Sequence, residues 1–301
     1  MAKKSKKKPL RKRPGLVAAL VCAALGLGLW GYMGLNASIL HVKRADVAVK
    51  DLPPAFEGKT ILYISDIDLC GLNTAARAAD AVMQLQSIRP DVLILGGDFT
   101  SPTLGEILNK QADVQGMLAK RDTFLQYIQG FDAPMGKYVL ASAADTALGD
   151  MGQTLKIHGF SGLNGNLNRL TFGSETLFLV GVNQEETRMS EYGGAFRSGD
   201  CVICVAESPD CFPRIMTAEA KDGGAWVDLC LAGGTHGGQV RVLGRSALTL
   251  SEVCQQYLSG WSRAIGVPML TSSGLGCEGA NLRLGSQAEA WVIRLGREAA
   301  K

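Results

Sequence analysis

The N-terminal segment constrains this chain most strongly, because a basic tail precedes a long apolar run. Residues Lys3–Arg13 include eight Lys and Arg side chains and no acidic one. The run Leu16–Leu40 carries no charged side chain. About 20 consecutive apolar residues are enough for a helix to cross a bilayer. The sequence therefore predicts a basic tail over residues 1–15 and a transmembrane anchor over residues 16–40.

A cleaved signal peptide is the alternative interpretation of this segment. Signal peptides have an apolar core of about 7–15 residues, which is shorter than Leu16–Leu40, although Leu35-Asn-Ala37 loosely resembles a cleavage site. The length favours an uncleaved anchor. Because positively charged flanks stay in the cytoplasm, we expect a single-pass protein of the cell membrane with a cytoplasmic N-terminus and an extracytoplasmic domain.

The charge of the remaining chain differs from that of the whole. The chain has 31 Lys and Arg residues and 28 Asp and Glu residues. Without the eight in the tail, 23 basic residues stand against 28 acidic ones, so the rest of the chain is mildly acidic. Nucleic-acid binding requires a basic patch or stripe. We therefore expect no nucleic-acid partner.

Beyond the anchor, short apolar runs alternate with polar or glycine-rich loops. Asn73–Arg89 and Met117–Gln129 carry apolar residues at helical spacing, and Asn73 or Thr74 is a suitable N-cap. Residues 150–176 have weak periodicity and are expected to form irregular hairpins. The predicted strands are Thr60–Ser65, Asp91–Leu95, Lys137–Ala141, Leu177–Val182, Cys201–Ala206, Leu229–Ala232, Met269–Gly276 and Ala290–Leu295. This pattern predicts an α/β arrangement with a sheet covered on its faces, and the length leaves room for one large domain or two small ones.

Acidic side chains or a histidine follow several predicted strands. They are Asp66, Asp68, Asp98, Asp145, Glu207 and His236. Any single one could be a solvated loop residue. Together they indicate a site, because the carboxyl ends of strands meet at one edge of an α/β sheet. Carboxylates with an imidazole suit Mn, Mg or Fe better than a thiolate-type zinc site.

His236 lies in a loop with unusually many glycines. The segment Leu229–Leu243 holds an apolar run, four glycines around His236, and a second strand-like run. Glycines allow a tight turn and a close approach to a ligand. A glycine-rich hairpin alone also explains them, so this segment by itself leaves metal binding open.

The cysteines do not predict a metal site. Cys201 and Cys204 have the spacing of a metal knuckle, but residues three apart on a strand face opposite sides of the sheet. No second such pair exists to complete a zinc site. We expect buried thiols here and assign no disulfide to Cys70, Cys201, Cys204, Cys211, Cys230, Cys254 or Cys277.

The order of these motifs resembles the calcineurin-like metallophosphoesterases, and most closely their membrane-anchored bacterial branch. The family pattern is DxH, GD, GNHD, a later histidine, and GHTHGGQ. The corresponding segments are Asp66-Ile-Asp68, Gly97-Asp98, Ser142-Ala-Ala-Asp145, Glu207-Ser-Pro-Asp210 and Gly233-Gly-Thr-His-Gly-Gly-Gln239. The resemblance spans about residues 45–296. It implies an α/β fold of four layers, with two mixed β-sheets packed face to face and flanked by helices.

The resemblance implies one metal site that keeps all its ligand positions. In the family both residues of DxH, the GD aspartate and the second histidine of GHTH hold one metal. Those positions are Asp66, Asp68, Asp98 and His236 in this chain. Only Asp68 departs from the pattern, as a carboxylate in place of a histidine. We therefore expect at most one divalent metal, Mn, Mg or Fe.

The second metal site implied by the resemblance has lost ligands. Besides Asp98, its positions are Ala143, Glu207 and Gly234. Two of these have no side-chain donor, and Glu207 is a possible ligand only. The histidine that assists the leaving group in the family is replaced by Ala144, although its usual partner Asp145 remains. No catalytic residue can therefore be assigned.

Loss of one metal and of the acid predicts weak or absent phosphoesterase activity. Two metals together stabilise the attacking and the leaving oxygen in such a displacement, and a general acid contributes a factor of roughly 10²–10⁴. We expect a membrane-anchored binding or regulatory module for a phosphate-bearing ligand or a protein partner. One alternative is an active phosphohydrolase with two metals at a rebuilt, carboxylate-rich site, with Cys70 as a further ligand. The other is a structural envelope protein without a ligand.

Overall fold

The computed structural model describes residues 14–264 and 266–298. The basic tail predicted over residues 3–13 lies outside these residues. The described part begins with an apolar helix, Pro14–Ser38. Within it, Gly15–Ser38 is long and apolar enough to cross a membrane, since an 18-residue stretch of it has a mean hydropathy of 2.0 and no buried residue. By length and composition, this helix is compatible with the predicted anchor.

The helices and strands follow each other in a mixed order. The helices are α1 (Pro14–Ser38), α2 (Ala75–Gln84), α3 (Leu104–Asn109), α4 (Val114–Ile128), α5 (Ala143–Ala147), α6 (Gly152–Ile157), α7 (Met189–Ala195), α8 (Phe212–Thr217) and α9 (Glu252–Gln256). The strands are β1 (Leu40–Val49), β2 (Thr60–Ile64), β3 (Val92–Leu95), β4 (Lys137–Val139), β5 (Ser161–Gly162), β6 (Leu167–Phe172), β7 (Glu175–Val182), β8 (Val202–Ala206), β9 (Leu229–Ala232), β10 (Arg241–Val242), β11 (Arg245–Ser246), β12 (Gly260–Ala264), β13 (Val267–Thr271) and β14 (Ala288–Arg297). Short 3₁₀ turns occur at Pro54–Phe56, Leu85–Ile88, Pro209–Cys211 and His236–Gly238.

Two six-stranded mixed sheets form the centre of the domain. The first has the order β1-β14-β2-β3-β4-β5, and the second has the order β12-β13-β9-β8-β7-β6. In the first, β2, β3 and β4 run parallel. In the second, β7, β8, β9 and β13 run parallel, while β6 and β12 are antiparallel edge strands. The fold class expected from the sequence is confirmed.

Three hydrophobic clusters fill the spaces between the helix and sheet layers. One cluster lies between the sheets and includes Tyr63, Ile94 and Ile203. A second packs α2 and α4 against the first sheet, with Val82 and Phe124 among its fully buried residues. A third packs α7 and α8 against the second sheet. Because each sheet is covered on both faces, its strands are apolar on both sides, as the sequence shows.

Most predicted elements are confirmed, with corrections at three places. The helix predicted from Asn73 begins at Ala75, and the Thr74 side chain caps it by accepting the amide of Arg77. Residues 150–176, expected to form only irregular hairpins, include helix α6 besides β5 and β6. The strand expected after the glycine loop is limited to the two-residue β10, because Gly244 turns the chain straight into β11 at a φ of 81°.

The cysteine prediction is confirmed for the described residues. All seven cysteines outside α1 are buried and free. Cys201 packs in the cluster between the sheets, whereas Cys204 packs on the helix side of the second sheet. The two sulfurs therefore face opposite sides of one sheet, as their spacing in an extended chain requires.

Candidate functional site

The predicted site residues meet where the parallel strands of both sheets end. Strands β2 and β3 deliver Asp66 and Asp98, and β4 leads into the turn before Asp145. In the second sheet, β8 delivers Glu207 and β9 leads into the loop that carries His236. Bonds across the two sheets close this edge: the amide of Gly234 donates to Asp66 Oδ1 at 2.7 Å, and the amide of Gly276 donates to the carbonyl of Asp66 at 2.7 Å.

Four of the predicted site residues have a left-handed backbone. The φ angles are 49° at Asp66, 44° at Asp68, 50° at Asp98 and 50° at His236. Among the described residues only eight non-glycine residues have a positive φ. Such conformations cost roughly 1–3 kcal/mol each and cluster at functional sites. The surrounding structure therefore holds these four residues in a backbone conformation that is unfavourable for a residue with a side chain.

Asp66 is buried, and both of its carboxylate oxygens are occupied. Oδ1 accepts the amide of Gly234 at 2.7 Å, and Oδ2 accepts the hydroxyl of Ser65 at 2.7 Å. A Cβ built on Gly274 would lie 2.5 Å from Asp66 Cβ, so only glycine fits beside this side chain. Asp66 thus joins the loops after β2, β9 and β13.

Asp68 and His236 face each other with unsatisfied atoms. Asp68 Oδ2 and His236 Nδ1 lie 3.3 Å apart. Both atoms are buried, and neither forms a hydrogen bond within the described residues. Burial raises the pKa of Asp68 well above its usual range, and the charges of Asp66 and Glu278 add to this effect. The two atoms face each other at ion-pair distance but form no hydrogen bond of suitable geometry, so this pair is the part of the site best prepared for a cation.

Asp98 lies close to Asp66, Asp68 and Asp145 and remains partly accessible. Desolvation raises the pKa of Asp98 well above its usual range, and the charges of Asp66, Asp145 and Asp68 raise it further. A carboxyl group among three others favours its neutral form unless a cation compensates the charge.

Asp145 has a structural position in the turn after β4. With Ser142 it forms a capping box at the start of α5. Its Oδ1 also accepts the amide of Phe99 at 3.1 Å, which ties α5 to the loop after β3. Desolvation raises the pKa of Asp145. Asp145 therefore has a structural role that does not depend on the histidine of the family pattern, which Ala144 replaces in this chain.

Glu207 is also engaged with the backbone. Its Oε2 accepts the amide of Ala143 at 3.0 Å and the amide of Gln184 at 2.8 Å. The first of these amides lies at the N-terminus of α5, and the second follows β7. Burial raises the pKa of Glu207. One carboxylate oxygen therefore holds together loops of both sheets.

Gly234 has no room for a side chain. Its φ is 77°, and an added Cβ would lie 2.8 Å from the carbonyl oxygen of Glu207 and 2.8 Å from Ser208 Cβ. The histidine that the family pattern has here would therefore clash with the backbone of the next strand end. Cys70, considered as a further ligand, donates its thiol to the carbonyl of Cys277 at 3.4 Å.

Sequence reasoning missed Arg283, a fully buried cation below the site. Its guanidinium group donates to the carbonyl of His236 at 3.1 Å and to the carbonyl of Ser273 at 2.7 Å. It also bonds the carbonyls of Gly274, Gly276 and Gln287. A lone arginine in a loop gives no sequence signal for such a role. Arg283 therefore fixes two loops: the loop that carries His236, and the loop after β13 that packs against Asp66.

The residues at this edge do not fit the dinuclear centre of the family. Ala143 and Gly234 have no donor atoms in their side chains, and Glu207 and Asp66 already bind backbone amides. Within residues 14–264 and 266–298, no group of three or more His, Cys, Asp or Glu side chains is arranged to hold a metal ion. Asp68 and His236 keep free donor atoms. A single divalent ion at Asp66, Asp68, Asp98 and His236 stays a prediction.

The comparisons with known proteins add little beyond a distant fold similarity. No protein-family model matches the sequence, and no curated protein matches it. The chain is similar to the crystal structure of phosphopantetheinyl hydrolase from Mycobacterium tuberculosis, with a TM-score of 0.37 and 10% sequence identity. The similarity covers 73% of this chain and 91% of that chain. At that level it assigns no role to any residue.

Proposed function

We propose that this chain is a single-pass membrane protein whose extracytoplasmic domain has a metallophosphoesterase-type fold without efficient phosphoesterase activity. Its role is to bind a phosphate-bearing ligand or a protein partner at the membrane. The proposal combines the apolar helix α1, the motif order in the sequence and the contacts at the strand ends.

The bond between Glu207 and Ala143 carries this proposal. Both positions correspond to ligands of the second metal in the family pattern. In this chain the Glu207 carboxylate accepts the Ala143 amide at 3.0 Å. An oxygen that already accepts two backbone amides is a poor metal ligand, because binding a metal there would displace both of these part-buried hydrogen bonds.

The remaining charges also work against phosphoester hydrolysis. Five carboxylates, those of Asp66, Asp68, Asp98, Asp145 and Glu207, lie near the place where a phosphate anion would bind, and His236 is the one imidazole of the predicted set. The ionised members of such a cluster repel phosphate, and the neutral members supply no positive charge that would bind it. The position of the family's general acid is Ala144, which cannot donate a proton to a leaving group.

One observation favours the active-enzyme alternative. The facing atoms of Asp68 and His236 have no hydrogen-bond partner among the described residues, and unsatisfied polar atoms with a strained backbone are typical of functional sites. In that alternative Asp68 and Glu207 take the place of histidine ligands and, with Asp98 and His236, hold the cations that restore activity. The second alternative, a structural envelope protein, leaves the pair unexplained.

Metal titration of the full-length protein in detergent tests the proposal. We expect at most one Mn ion per chain by calorimetry and elemental analysis, and we expect His236→Ala to abolish its binding. Cys211→Ser, which alters a buried residue outside the predicted set, serves as the control. Two tightly bound ions per chain would instead support the active phosphohydrolase.

A further inference from the structure

A polar cavity lies between the end of helix α1 and the domain, and the predicted site does not account for it. Its volume is about 380 Å³. Tyr32 and Asn36 of α1 line one side, and Lys43, Arg241, Ser273 and Gln287 of the domain line the other. Two cationic side chains therefore face one cavity, with hydroxyl and amide groups around them.

The cavity is at the level where α1 meets the domain. Asn36 Nδ2 donates to the carbonyl of Ser286 at 2.8 Å and to that of Arg283 at 3.2 Å. The amide of Arg283 in turn donates to the carbonyl of Met33 at 3.1 Å. Because these contacts involve the last two turns of α1, the cavity lies at the C-terminal end of the apolar helix.

If α1 spans a membrane, as proposed above, this level is the polar headgroup region. Trp30 and Tyr32 are exposed on this part of the helix. Tyrosine and tryptophan are enriched at the boundary between the apolar core of a membrane and water. The mouth of the cavity then opens where lipid headgroups are found.

The charges of the cavity favour an anion. Lys43 pairs with the fully buried Glu289, which offsets one positive charge. Arg241 has no carboxylate partner among the described residues: its Nε donates to the carbonyl of Gly237 at 2.5 Å and its Nη2 donates to Ser259 Oγ at 2.8 Å. Its other terminal nitrogen forms no hydrogen bond in the described part of the chain. The cavity thus retains about one net positive charge and unused donors.

We propose that this cavity binds the phosphate group of an anionic ligand, with Arg241 as the main contact and Lys43 as the second. A guanidinium group matches the geometry of phosphate oxygens. The position at the end of α1 favours the phosphodiester of an anionic lipid headgroup over a soluble phosphate. The inference rests on the proposed membrane anchor but not on any activity at the Asp98 edge.

Binding can be measured with the full-length protein in a neutral detergent. The probes are dihexanoyl phosphatidylglycerol, dihexanoyl phosphatidylcholine and inorganic phosphate, and the readout is the fluorescence of tryptophan. Trp291 is a suitable reporter, because Lys43 Nζ lies 5.4 Å from the centre of its ring. We expect saturable binding of phosphatidylglycerol and much weaker binding of phosphatidylcholine. Inorganic phosphate is then added to the complex at the same concentration as phosphatidylglycerol. If it displaces the lipid, the ligand of the cavity is a soluble phosphate and not a lipid headgroup.

A pair of substitutions with opposite charge separates binding from folding. Gln287 is exposed and its side chain forms no hydrogen bond in the described residues. Gln287→Lys should tighten and Gln287→Glu should weaken phosphatidylglycerol binding, each by about threefold. The same changes at Gln115, an exposed residue of α4, should have no effect. Arg241→Gln should weaken binding about tenfold or more.

Equal affinity for both lipids, or equal affinity of the two Gln287 variants, would overturn the proposal. Asp98→Ala should leave phosphatidylglycerol binding unchanged. This control separates the two proposals. Asp98→Ala would abolish any phosphoesterase activity at the strand ends, but it would not change the binding of phosphatidylglycerol in the cavity.

Discussion

Glu207 and Ala143 are joined by a hydrogen bond of 3.0 Å between a carboxylate oxygen and a backbone amide. The two residues are 64 positions apart in the chain and follow strands of different sheets, β4 and β8. In the resembling family both positions bind the same metal. Here the bond between them joins the segments that follow β4 and β8, so a structural contact lies where the resemblance would place a second metal.

Removal of the Glu207 carboxylate should therefore destabilise the domain. Glu207→Ala leaves the part-buried amides of Ala143 and Gln184 without their acceptor, which we expect to cost about 1–2 kcal/mol of unfolding free energy. Glu207→Gln keeps an acceptor oxygen and should cost less than about 1 kcal/mol. Urea unfolding of both variants measures this difference. A Glu207→Ala variant as stable as the parent would show that the carboxylate has no structural role.

Gly234 should tolerate no side chain. Gly234→Ala introduces a Cβ 2.8 Å from the carbonyl oxygen of Glu207 at a φ of 77°. Gly244 is a matched control, since its φ is 81° and nothing lies within 4 Å of an added Cβ. Gly244→Ala should cost about 1 kcal/mol from the backbone alone, and Gly234→Ala about 2 kcal/mol more from the clash. Equal losses in thermal unfolding would contradict a closed site at residue 234.

The stability of the domain should fall as the pH rises through the titration of Asp228. Asp228 is 8% exposed, and its Oδ2 accepts the amide of Val202 at 2.9 Å. Burial raises the pKa of Asp228 to about 7. Because the folded pKa is raised, this group's contribution is fully present below the unfolded pKa of about 3.9 and is lost between there and pH 7.

The Asp228→Asn variant isolates this contribution. A shift of this size corresponds to a loss on the order of 4 kcal/mol between about pH 4 and pH 8. The side-chain amide oxygen introduced by Asp228→Asn can still accept the Val202 amide, so the variant should be more stable than the parent at about pH 8 and should show a flatter profile. Asp132→Asn, at an exposed position, should leave the profile unchanged. Parallel profiles of parent and Asp228→Asn would refute the assignment.

The orientation in the membrane should follow the basic tail. A reporter that is active only outside the cytoplasm, fused after Lys301, should be active if the domain is extracytoplasmic. Replacing the eight Lys and Arg residues of the tail by Gln should produce a mixture of orientations. Activity of a cytoplasm-specific reporter alone at the same position would reverse the assignment.

The layout of the fold was largely predictable from local patterns. Apolar runs such as Asp91–Leu95 show a strand buried on both faces, and Thr74 marks the start of α2 because its side chain can cap the helix. Helix α6 was missed, since its six residues contain too few turns to show a period. The edge strand β12 was also missed, because Gly260 and Ser262 give no apolar alternation.

The sequence predicts where the candidate site lies in the fold, but it does not predict the hydrogen bonds that its residues form. Strand ends brought Asp66, Asp98 and His236 to one edge, as expected for parallel strands. The partners of Glu207 and the five carbonyls around Arg283 could not be predicted, because they are backbone atoms of segments distant in sequence. Neither the crowding at Gly234 nor the unsatisfied pair of Asp68 and His236 leaves a pattern in the sequence.

Phosphodiester hydrolysis by the full-length protein with added Mn tests the central claim most directly. The substrate is bis(p-nitrophenyl) phosphate, and the matched variant is Asp98→Ala, with its folding checked by thermal unfolding. If the edge formed by Asp66, Asp98 and Glu207 is a structural network, turnover by the parent should be near background and should not differ from that of Asp98→Ala. Substantial turnover by the parent that is lost in a folded Asp98→Ala variant would contradict the account.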